Sequence, residues 1–359
     1  MSKRSIVPFG PQHPVLPEPI HLDLVLEDEK VVEAIPSIGF IHRGLEKLVE
    51  KKDFQEYVYV AERICGICSF MHGMGYCQAI EKVMDIKIPD RAEFLRTIWA
   101  ELSRVHSHLL WLGLLADAFG FESLFMQCWR LREKVLDIFE LTTGGRVIFS
   151  VCKVGGVRKD ISSESLKFIG TILKEITEEL KSIEKVFFED YTVKHRLVGV
   201  GVLSKQEAHD LGTVGPMARA SGISIDSRKL GYGAYNEINF EPIIHNDGDC
   251  YSRCIVRFLE IYQSIDIINQ LIYKIPSSEI NVKVTGNPMG EYFARLEQPR
   301  GEVIYYVKGN GTKFLDRMRV RTPTFANIPA LLKTLQGCDL ADVPILILTI
   351  DPCISCTER

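Results

Sequence analysis

The sequence predicts a mostly helical α+β chain that folds as one unit. Long stretches place apolar residues at mixed three- and four-residue intervals, the period of a helix that buries one face. Two shorter stretches, one near each end, alternate apolar and polar residues as hairpin strands do. No internal repeat or low-complexity tract interrupts them. The prediction is a single domain over 1–359, with an N-terminal extended and β segment at 1–50, a helical core at 51–300 and a small α/β segment at 301–359.

The N-terminal segment begins with residues 1–19, which are rich in proline and glycine. Proline cannot continue a helix, so this stretch is predicted to lie extended over another part of the protein. Residues 20–26 and 30–36 alternate on either side of Glu27-Asp28-Glu29 and predict a β-hairpin. Residues 39–48 are predicted to turn into the first helix.

Helical periodicity dominates the middle of the chain. The predicted helices are 53–63, 66–84, 90–119, 122–141, 162–188 and 249–274. Between them, residues 142–160 and 190–248 contain many glycines and are predicted as loops with short helices.

The C-terminal segment begins with a second predicted hairpin. Residues 302–307 and 312–320 flank Gly309-Asn310-Gly311, a strong turn signal. A short helix is predicted near 326–336. The apolar run 343–349 is either a buried strand or a helix, because a run this short does not distinguish them.

Composition excludes several classes of protein. With 359 residues and 46% hydrophobic content, the chain can bury a large core. A net charge of -4 and the absence of a polybasic cluster argue against a nucleic-acid partner. No apolar run approaches the ~18 residues of a membrane span, and the N-terminus lacks a signal-peptide pattern. Ten cysteines without such a signal predict a reducing, intracellular setting in which thiols bind metals or stay buried.

Two Cys-x-x-Cys pairs, Cys65/Cys68 and Cys353/Cys356, lie near opposite ends of the chain. Together they make a complete thiolate set for a soft metal. Zinc ribbons usually separate their pairs by only ~15–20 residues, because such a site folds locally. Here the fold must bring the C-terminus inward to complete the site. Spacing alone leaves a structural zinc, an iron–sulfur cluster and another redox metal open.

The residues around these cysteines resemble the signatures of nickel–iron hydrogenase large subunits. The first pair stands in Arg63-x-Cys65-Gly66-x-Cys68-x-x-x-His72 and the second in Asp351-Pro352-Cys353-x-x-Cys356. Further segments resemble the energy-converting, membrane-bound (Ech-type) subgroup, which is related to the 49 kDa quinone-site subunit of respiratory complex I. These segments are Gly10-Pro11-Gln12-His13-Pro14, His42-Arg43-Gly44-Leu45-Glu46-Lys47, Ser107-His108-Leu109-Leu110-Trp111-Leu112-Gly113 and Arg321-Thr322-Pro323-Thr324. The complex I relative has lost the nickel cysteines, whereas this chain keeps all four.

The resemblance implies a nickel–iron centre whose iron carries carbon monoxide and two cyanides. By position, Cys65 and Cys353 would be terminal nickel ligands, and Cys68 and Cys356 would bridge nickel to iron. Glu18, beside Cys353, would carry the proton of hydrogen cleavage.

Three groups would surround the diatomic ligands in such a centre. Arg300 would donate to a cyanide, and Pro323 and Thr324 would form a second wall, with the Thr324 hydroxyl as a donor. His72, one helical turn after Cys68, would hydrogen-bond a cysteine sulfur.

The resemblance also implies a magnesium site at Glu46, for which relatives supply a C-terminal histidine. This chain has Arg359 at that position. A magnesium ligand is therefore missing, and Arg359 could pair with Glu46 in place of the cation.

No further cysteine group is left for an electron relay, so iron–sulfur clusters are expected only in partner subunits. The expected partners are a small iron–sulfur subunit, ferredoxin acting through it, and membrane-integral subunits of an ion-translocating complex. The chain would be a peripheral subunit at the cytoplasmic face of the membrane, catalysing reversible hydrogen cleavage. Two alternatives remain at this point: a quinone-site or scaffold subunit without active metal, and a hydrogen-sensing regulator.

Overall fold

The computed structural model describes residues 4–16 and 18–359. The helices are α1 (Leu45–Leu48), α2 (Tyr57–Glu62), α3 (Ser69–Val83), α4 (Asp90–Ala118), α5 (Glu122–Thr143), α6 (Ser163–Glu189), α7 (Tyr191–Leu197), α8 (Lys205–Asp210), α9 (Pro216–Ala220), α10 (Cys250–Lys274), α11 (Pro323–Leu335), α12 (Val343–Thr349) and α13 (Ile354–Thr357). The strands are β1 (Arg4–Phe9), β2 (His21–Glu27), β3 (Lys30–Ser37), β4 (Cys152–Lys153), β5 (Gly156–Val157), β6 (Met289–Gln298), β7 (Gly301–Asn310) and β8 (Leu315–Arg321). The predicted mostly helical α+β class is confirmed.

The N-terminal sheet contains the predicted hairpin and one strand that was not predicted. β2 and β3 pair antiparallel, and alternate residues of β2 are buried: Leu22, Leu24 and Leu26. β1 pairs with β2 on the other side. The proline-rich stretch is thus partly a strand. Among the described residues, 10–16 and 18–20 between β1 and β2 are irregular, and we call them the N-terminal cover. Residues 1–3 and 17 of that stretch lie outside the described residues.

The centre of the protein is a group of long antiparallel helices. α4 packs against both α5 and α10, and α6 packs against the same two helices. α4 is buried on almost every face, whereas α6 buries one apolar stripe and exposes the rest. Several buried polar side chains of α4 therefore need buried partners, as Arg96, Arg104 and His108 have.

The C-terminal sheet has the order β6-β7-β8 and packs against α3. β7 and β8 form the predicted hairpin. β6 was not predicted, because residues 289–293 are exposed on both faces and show no alternation, and only the second half buries Ala294 and Leu296. β6 lies within 51–300, the range predicted as the helical core, so the C-terminal sheet begins earlier than the predicted boundary at residue 301.

Two predicted helices begin later than expected, and the ambiguous apolar run is resolved. α2 begins at Tyr57 rather than at 53, because residues 54–56 form a turn, and α3 begins at Ser69 rather than at 66, because residues 66–68 form a bend. The run 343–349 is the helix α12, which packs against α4, α10 and α11. Burial among helices overrides the strand preference of its β-branched residues.

A buried ion pair fixes α3 to α4. The Arg96 guanidinium donates two hydrogen bonds to the Glu81 carboxylate, at 2.8 and 2.7 Å. Arg96 also donates to the carbonyls of Lys153 and Gly156, and Glu81 accepts from the backbone N–H of Gly155. The pair therefore holds the β4–β5 turn against both helices.

We expect Glu81→Ala to destabilise the protein by about 3–5 kcal/mol, because it leaves the buried Arg96 charge without its partner. The urea-unfolding midpoint of the purified chain measures this. Glu133→Ala, which removes an exposed partner of Arg146, is the matched control and should leave the midpoint unchanged. Equal midpoints for both variants would contradict the role assigned to the buried pair.

Candidate metal centre

The two cysteine pairs meet in the interior. Cys65 lies in the turn before α3 and Cys68 is the N-cap residue of that helix. Cys353 is the N-cap residue of α13, and Cys356 lies within it. All four are at most 2% exposed. The C-terminal end is therefore folded into the protein, as the sequence predicts.

The sulfur atoms are close enough to share metal ions. Cys65 Sγ lies 3.3 Å from Cys353 Sγ, and Cys68 Sγ lies 3.4 Å from Cys356 Sγ. Cys65, Cys68 and Cys356 place their sulfurs within 4.8 Å of one another. These distances exceed a disulfide bond of about 2.05 Å, and all four thiols are free. Four convergent, buried sulfurs fit a soft metal centre.

The four thiols hold their protons unequally. Hydrogen bonding to Cys353 lowers the pKa of Cys65 well below its usual value. Desolvation by burial raises the pKa of Cys356 well above it. A bound cation would displace the remaining protons, since metals bind the thiolate.

His72 contacts a cysteine of the second pair rather than Cys68. Its Nε2 lies 3.3 Å from Cys356 Sγ, and its Nδ1 lies 2.6 Å from the Tyr305 hydroxyl. Burial lowers the pKa of His72 to about 3, so the imidazole is neutral near pH 7. The sequence predicts a hydrogen bond to a cysteine sulfur. The contact with Tyr305 was not predicted, because β7 lies far from His72 in the chain.

Arg300 lies in the turn between β6 and β7 and is 3% exposed. Its Nε donates to the Asp351 carbonyl at 2.9 Å and one Nη donates to Asp351 Oδ1 at 2.7 Å. The other Nη donates to Ser107 Oγ at 3.2 Å. Asp351 and Ser107 belong to recognised motifs, but nothing in the sequence indicates that they hold this arginine.

Thr324 and Pro323 open α11 beside the second cysteine pair. The Thr324 hydroxyl oxygen accepts the backbone N–H of Cys353 at 3.0 Å, which leaves its own proton free to donate. Pro323 stands in the first turn of the helix, where its missing N–H costs nothing. The neighbouring Thr322 hydroxyl donates to the Cys356 carbonyl. These contacts fix the backbone of both cysteines.

Glu18 reaches the second cysteine pair from the N-terminal cover. Its Oε2 accepts the backbone N–H of Ile354, directly after Cys353. Burial and the nearby charge of Cys353 raise the pKa of Glu18 to about 8, against the opposing effect of Arg300. Prolines flank Glu18 in the sequence and are expected to restrict its backbone, and one of them, Pro17, lies outside the described residues.

Glu46 is held by cationic side chains. Arg359 Nε donates to Glu46 Oε1 at 2.9 Å, and an Arg319 Nη donates to Glu46 Oε2 at 2.6 Å. The backbone N–H of Val320 donates to the same carboxylate. Arg359 also donates to the carbonyls of Cys356 and Thr357. The predicted pairing of Arg359 with Glu46 is thus present.

Two family models and several relatives match the sequence of this chain. Residues 43–117 match the model of the nickel-dependent hydrogenases. Residues 118–287 and 282–359 match the model of the respiratory-chain NADH dehydrogenase 49 kDa subunit. The membrane-bound hydrogenase subunit alpha of Pyrococcus furiosus is 38% identical over 98% of this chain and 87% of the relative. The carbon monoxide-induced hydrogenase of Rhodospirillum rubrum is 37% identical over 98% of this chain and 99% of the relative.

A solved structure has the same fold. A chain of the membrane-bound sulfane sulfur reductase, an archaeal respiratory membrane complex, is similar with a TM-score of 0.94 and 32% identity. The similarity covers 99% of this chain and 98% of that chain. The chain therefore belongs to the family of large subunits that joins the membrane-bound nickel–iron hydrogenases to the 49 kDa subunit of the respiratory NADH dehydrogenase.

Proposed function

We propose that this chain is the catalytic subunit of a membrane-associated nickel–iron hydrogenase that interconverts dihydrogen with protons and electrons. The observation that carries the proposal is the meeting of four buried, free cysteine sulfurs from opposite ends of the chain. The family includes members with other activities, so membership alone does not select hydrogen chemistry. Within this family a complete thiolate set favours hydrogen chemistry, because soft thiolates are ligands that suit nickel and iron.

Each cysteine would have the role that its motif position implies. Cys65 and Cys353 would be terminal ligands of nickel, and Cys68 and Cys356 would bridge nickel and iron. The contacts support this grouping. The sulfur of Cys65 lies against that of Cys353, and the sulfur of Cys68 lies against that of Cys356, so the two cysteines of each proposed role are neighbours. When bound, the centre supplies heterolytic cleavage of dihydrogen.

The chain's own residues would then remove the proton. A thiolate such as Cys353 is a base next to the reacting metal. Glu18 stands beside it, partly buried and anchored by the Ile354 N–H. This position suits a carboxylate that accepts the proton from sulfur and releases it through the N-terminal cover. The Cys353 side chain is itself fully buried, so bulk water does not reach its sulfur.

Arg300, Pro323 and Thr324 would hold the iron's diatomic ligands. Arg300 is locked by Asp351 and Ser107, so its guanidinium loses little entropy on donating to a cyanide. The Thr324 hydroxyl has a proton to donate, since its oxygen already accepts from Cys353. Such donors stabilise an anionic ligand in an apolar pocket.

Electrons would leave through a partner. Within the described residues, three metal-ligating side chains converge only at Cys65, Cys68 and Cys356. An iron–sulfur subunit with ferredoxin as its redox partner, and membrane-integral subunits, would complete the complex. No helix in the described part of the chain is long and apolar enough to cross a membrane. The chain's similarity to subunits of membrane-bound complexes supports a peripheral subunit, which we place at the cytoplasmic face.

Arg359 would take the place of the magnesium that the family resemblance implies at this position. Its guanidinium joins the Glu46 carboxylate to the carbonyls of Cys356 and Thr357, the bridging role expected of a cation at this position. A fixed positive charge would thus tie the C-terminal end to α1 without a metal.

An infrared spectrum of the natively purified complex tests the proposed function. We expect stretching bands of iron-bound carbon monoxide and cyanide. Cys356→Ser should abolish them by removing a bridging ligand, whereas Cys338→Ser, outside the site, should keep them. Absence of these bands from a folded complex that contains zinc or no metal would favour the scaffold alternative. Normal bands with very slow turnover would favour the hydrogen-sensing regulator.

We expect Glu18→Gln to lower hydrogen uptake and evolution by ~100-fold or more, the contribution typical of a positioned proton carrier. Glutamine keeps a carbonyl oxygen for the Ile354 N–H but cannot carry a proton. Nickel content and the infrared bands should persist. Glu29→Gln, in the exposed turn between β2 and β3, is the control. A wild-type rate in Glu18→Gln would exclude this proton route.

Glu46→Gln should lower the thermal midpoint, because it weakens the pairing with Arg359 and Arg319. Burial raises the pKa of Glu46, but hydrogen bonds from Val320, Arg359 and Arg319 outweigh it and the net pKa is lowered. The stabilisation is therefore present above the usual value of 4.5 and lost as pH falls through the lowered pKa. The gap between wild type and variant should be widest near pH 7 and close in acid.

The control for this variant is Glu50→Gln, which affects only the exposed pair with Lys47. Unchanged stability and activity in Glu46→Gln would count against the replacement of the cation by Arg359.

A further inference from the structure

The imidazole of His72 has three polar neighbours, and all of them are buried. Nδ1 faces the Tyr305 hydroxyl at 2.6 Å, and Nε2 faces Cys356 Sγ at 3.3 Å. The side-chain amide of Gln298 also lies 3.3 Å from Nε2. The four residues are completely buried. Hydrogen bonds among them cannot be exchanged for bonds to water, so their donors and acceptors must match.

A neutral imidazole carries one proton, and this group therefore has two consistent arrangements. In the first, Nδ1–H donates to the Tyr305 oxygen and bare Nε2 accepts from the Cys356 thiol or the Gln298 amide. In the second, Tyr305 donates to bare Nδ1, and Nε2–H donates to sulfur. The phenol can serve either arrangement because it both donates and accepts.

The charge of Cys356 selects between the two. A metal-bound thiolate has no proton and can only accept. The first arrangement would then leave a bare nitrogen against an electron-rich sulfur, whereas the second places an N–H there. Gln298 Oε1 has no partner in the described structure. Turning this amide would bring the oxygen to Nε2–H and satisfy the second arrangement.

We propose that Tyr305 is a positioning residue that fixes the tautomer of His72, donating its hydroxyl proton to Nδ1 so that Nε2–H donates to the Cys356 thiolate. The inference rests on the proposed function only in requiring a metal-bound thiolate at Cys356. Donation to Nδ1 also polarises the ring and strengthens Nε2–H as a donor. Tyr305 thereby tunes the electron density of a bridging sulfur without touching it.

The packing of Tyr305 supports this role. Its ring lies edge-on to His72, with 5.9 Å between the ring centroids. The ring rests against Gly75 of α3, where an added Cβ would lie only 2.9 Å from Tyr305 Cδ2. Glycine at this position lets the phenol approach the helix that carries His72. The hydroxyl is thus held at one nitrogen by packing as well as by hydrogen bonding.

The test is solid-state nitrogen NMR of the natively purified complex with ¹⁵N-labelled histidine, using His72→Gln to assign the signals. We expect bare Nδ1 and protonated Nε2 in the wild type. Tyr305→Phe removes one oxygen and should change the Nδ1 signal or produce a mixture of tautomers. Tyr306→Phe is the matched control on the same strand; its hydroxyl bonds Glu291, and the His72 signals should not change.

Protonated Nδ1 with bare Nε2 in the wild type would overturn the proposal without any variant. Signals in Tyr305→Phe identical to the wild type would overturn it as well. Where infrared bands are present, Tyr305→Phe should shift the carbonyl band to lower wavenumber, because a weaker hydrogen bond leaves the sulfur more electron-rich. Expected nitrogen signals without carbonyl bands would instead reject the hydrogenase proposal and keep the role of Tyr305 at a different thiolate-bound metal.

Discussion

The structure depends on one long-range closure, the contact of Cys65 and Cys68 with Cys353 and Cys356. The second pair stands at the end of the chain, in a helix of a single turn that could not hold its shape alone. Its stability comes from what surrounds it: the Thr324 hydroxyl, the Glu18 carboxylate and the Arg359 guanidinium each bind its backbone. A buried amide or carbonyl needs a hydrogen-bond partner, and Thr324 and Glu18 supply two such partners from distant segments.

A network of buried ion pairs supports the turn that carries Arg300. Arg104 of α4 donates to the carbonyls of Glu297 and Gln298, just before the turn that carries Arg300. Arg104 is itself paired with buried Glu101, which also contacts Arg228. A buried charge is costly unless it is paired, so each such residue constrains the next. The result is a rigid support for a turn whose side chains face the cysteines.

Much of the fold follows from local sequence. Hydrophobic periodicity identifies the long helices to within a few residues, and alternation with a Gly-Asn-Gly turn identifies the β7–β8 hairpin. Strands β1 and β6 are not predicted because their sequences lack a clear alternation of apolar and polar residues. Hydrogen bonding to the neighbouring strands β2 and β7 makes them strands. β1 adds to an existing edge, and the first half of β6 is exposed on both faces. The apolar run of α12 gives no local indication of its conformation, which packing against α4 decides.

For the candidate site, the sequence by itself determined the participants. The four thiolates are recognised by residue type and spacing, whereas the glutamate of the N-terminal cover, the arginine at the turn and the histidine one helical turn after Cys68 are identified by the family resemblance of their local motifs. Tertiary structure alone decided the partners. It placed His72 on Cys356 rather than Cys68, set Tyr305 behind it, and locked Arg300 with Asp351 and Ser107. These contacts join residues between 51 and 284 positions apart, and only the packed fold brings their donors and acceptors within reach.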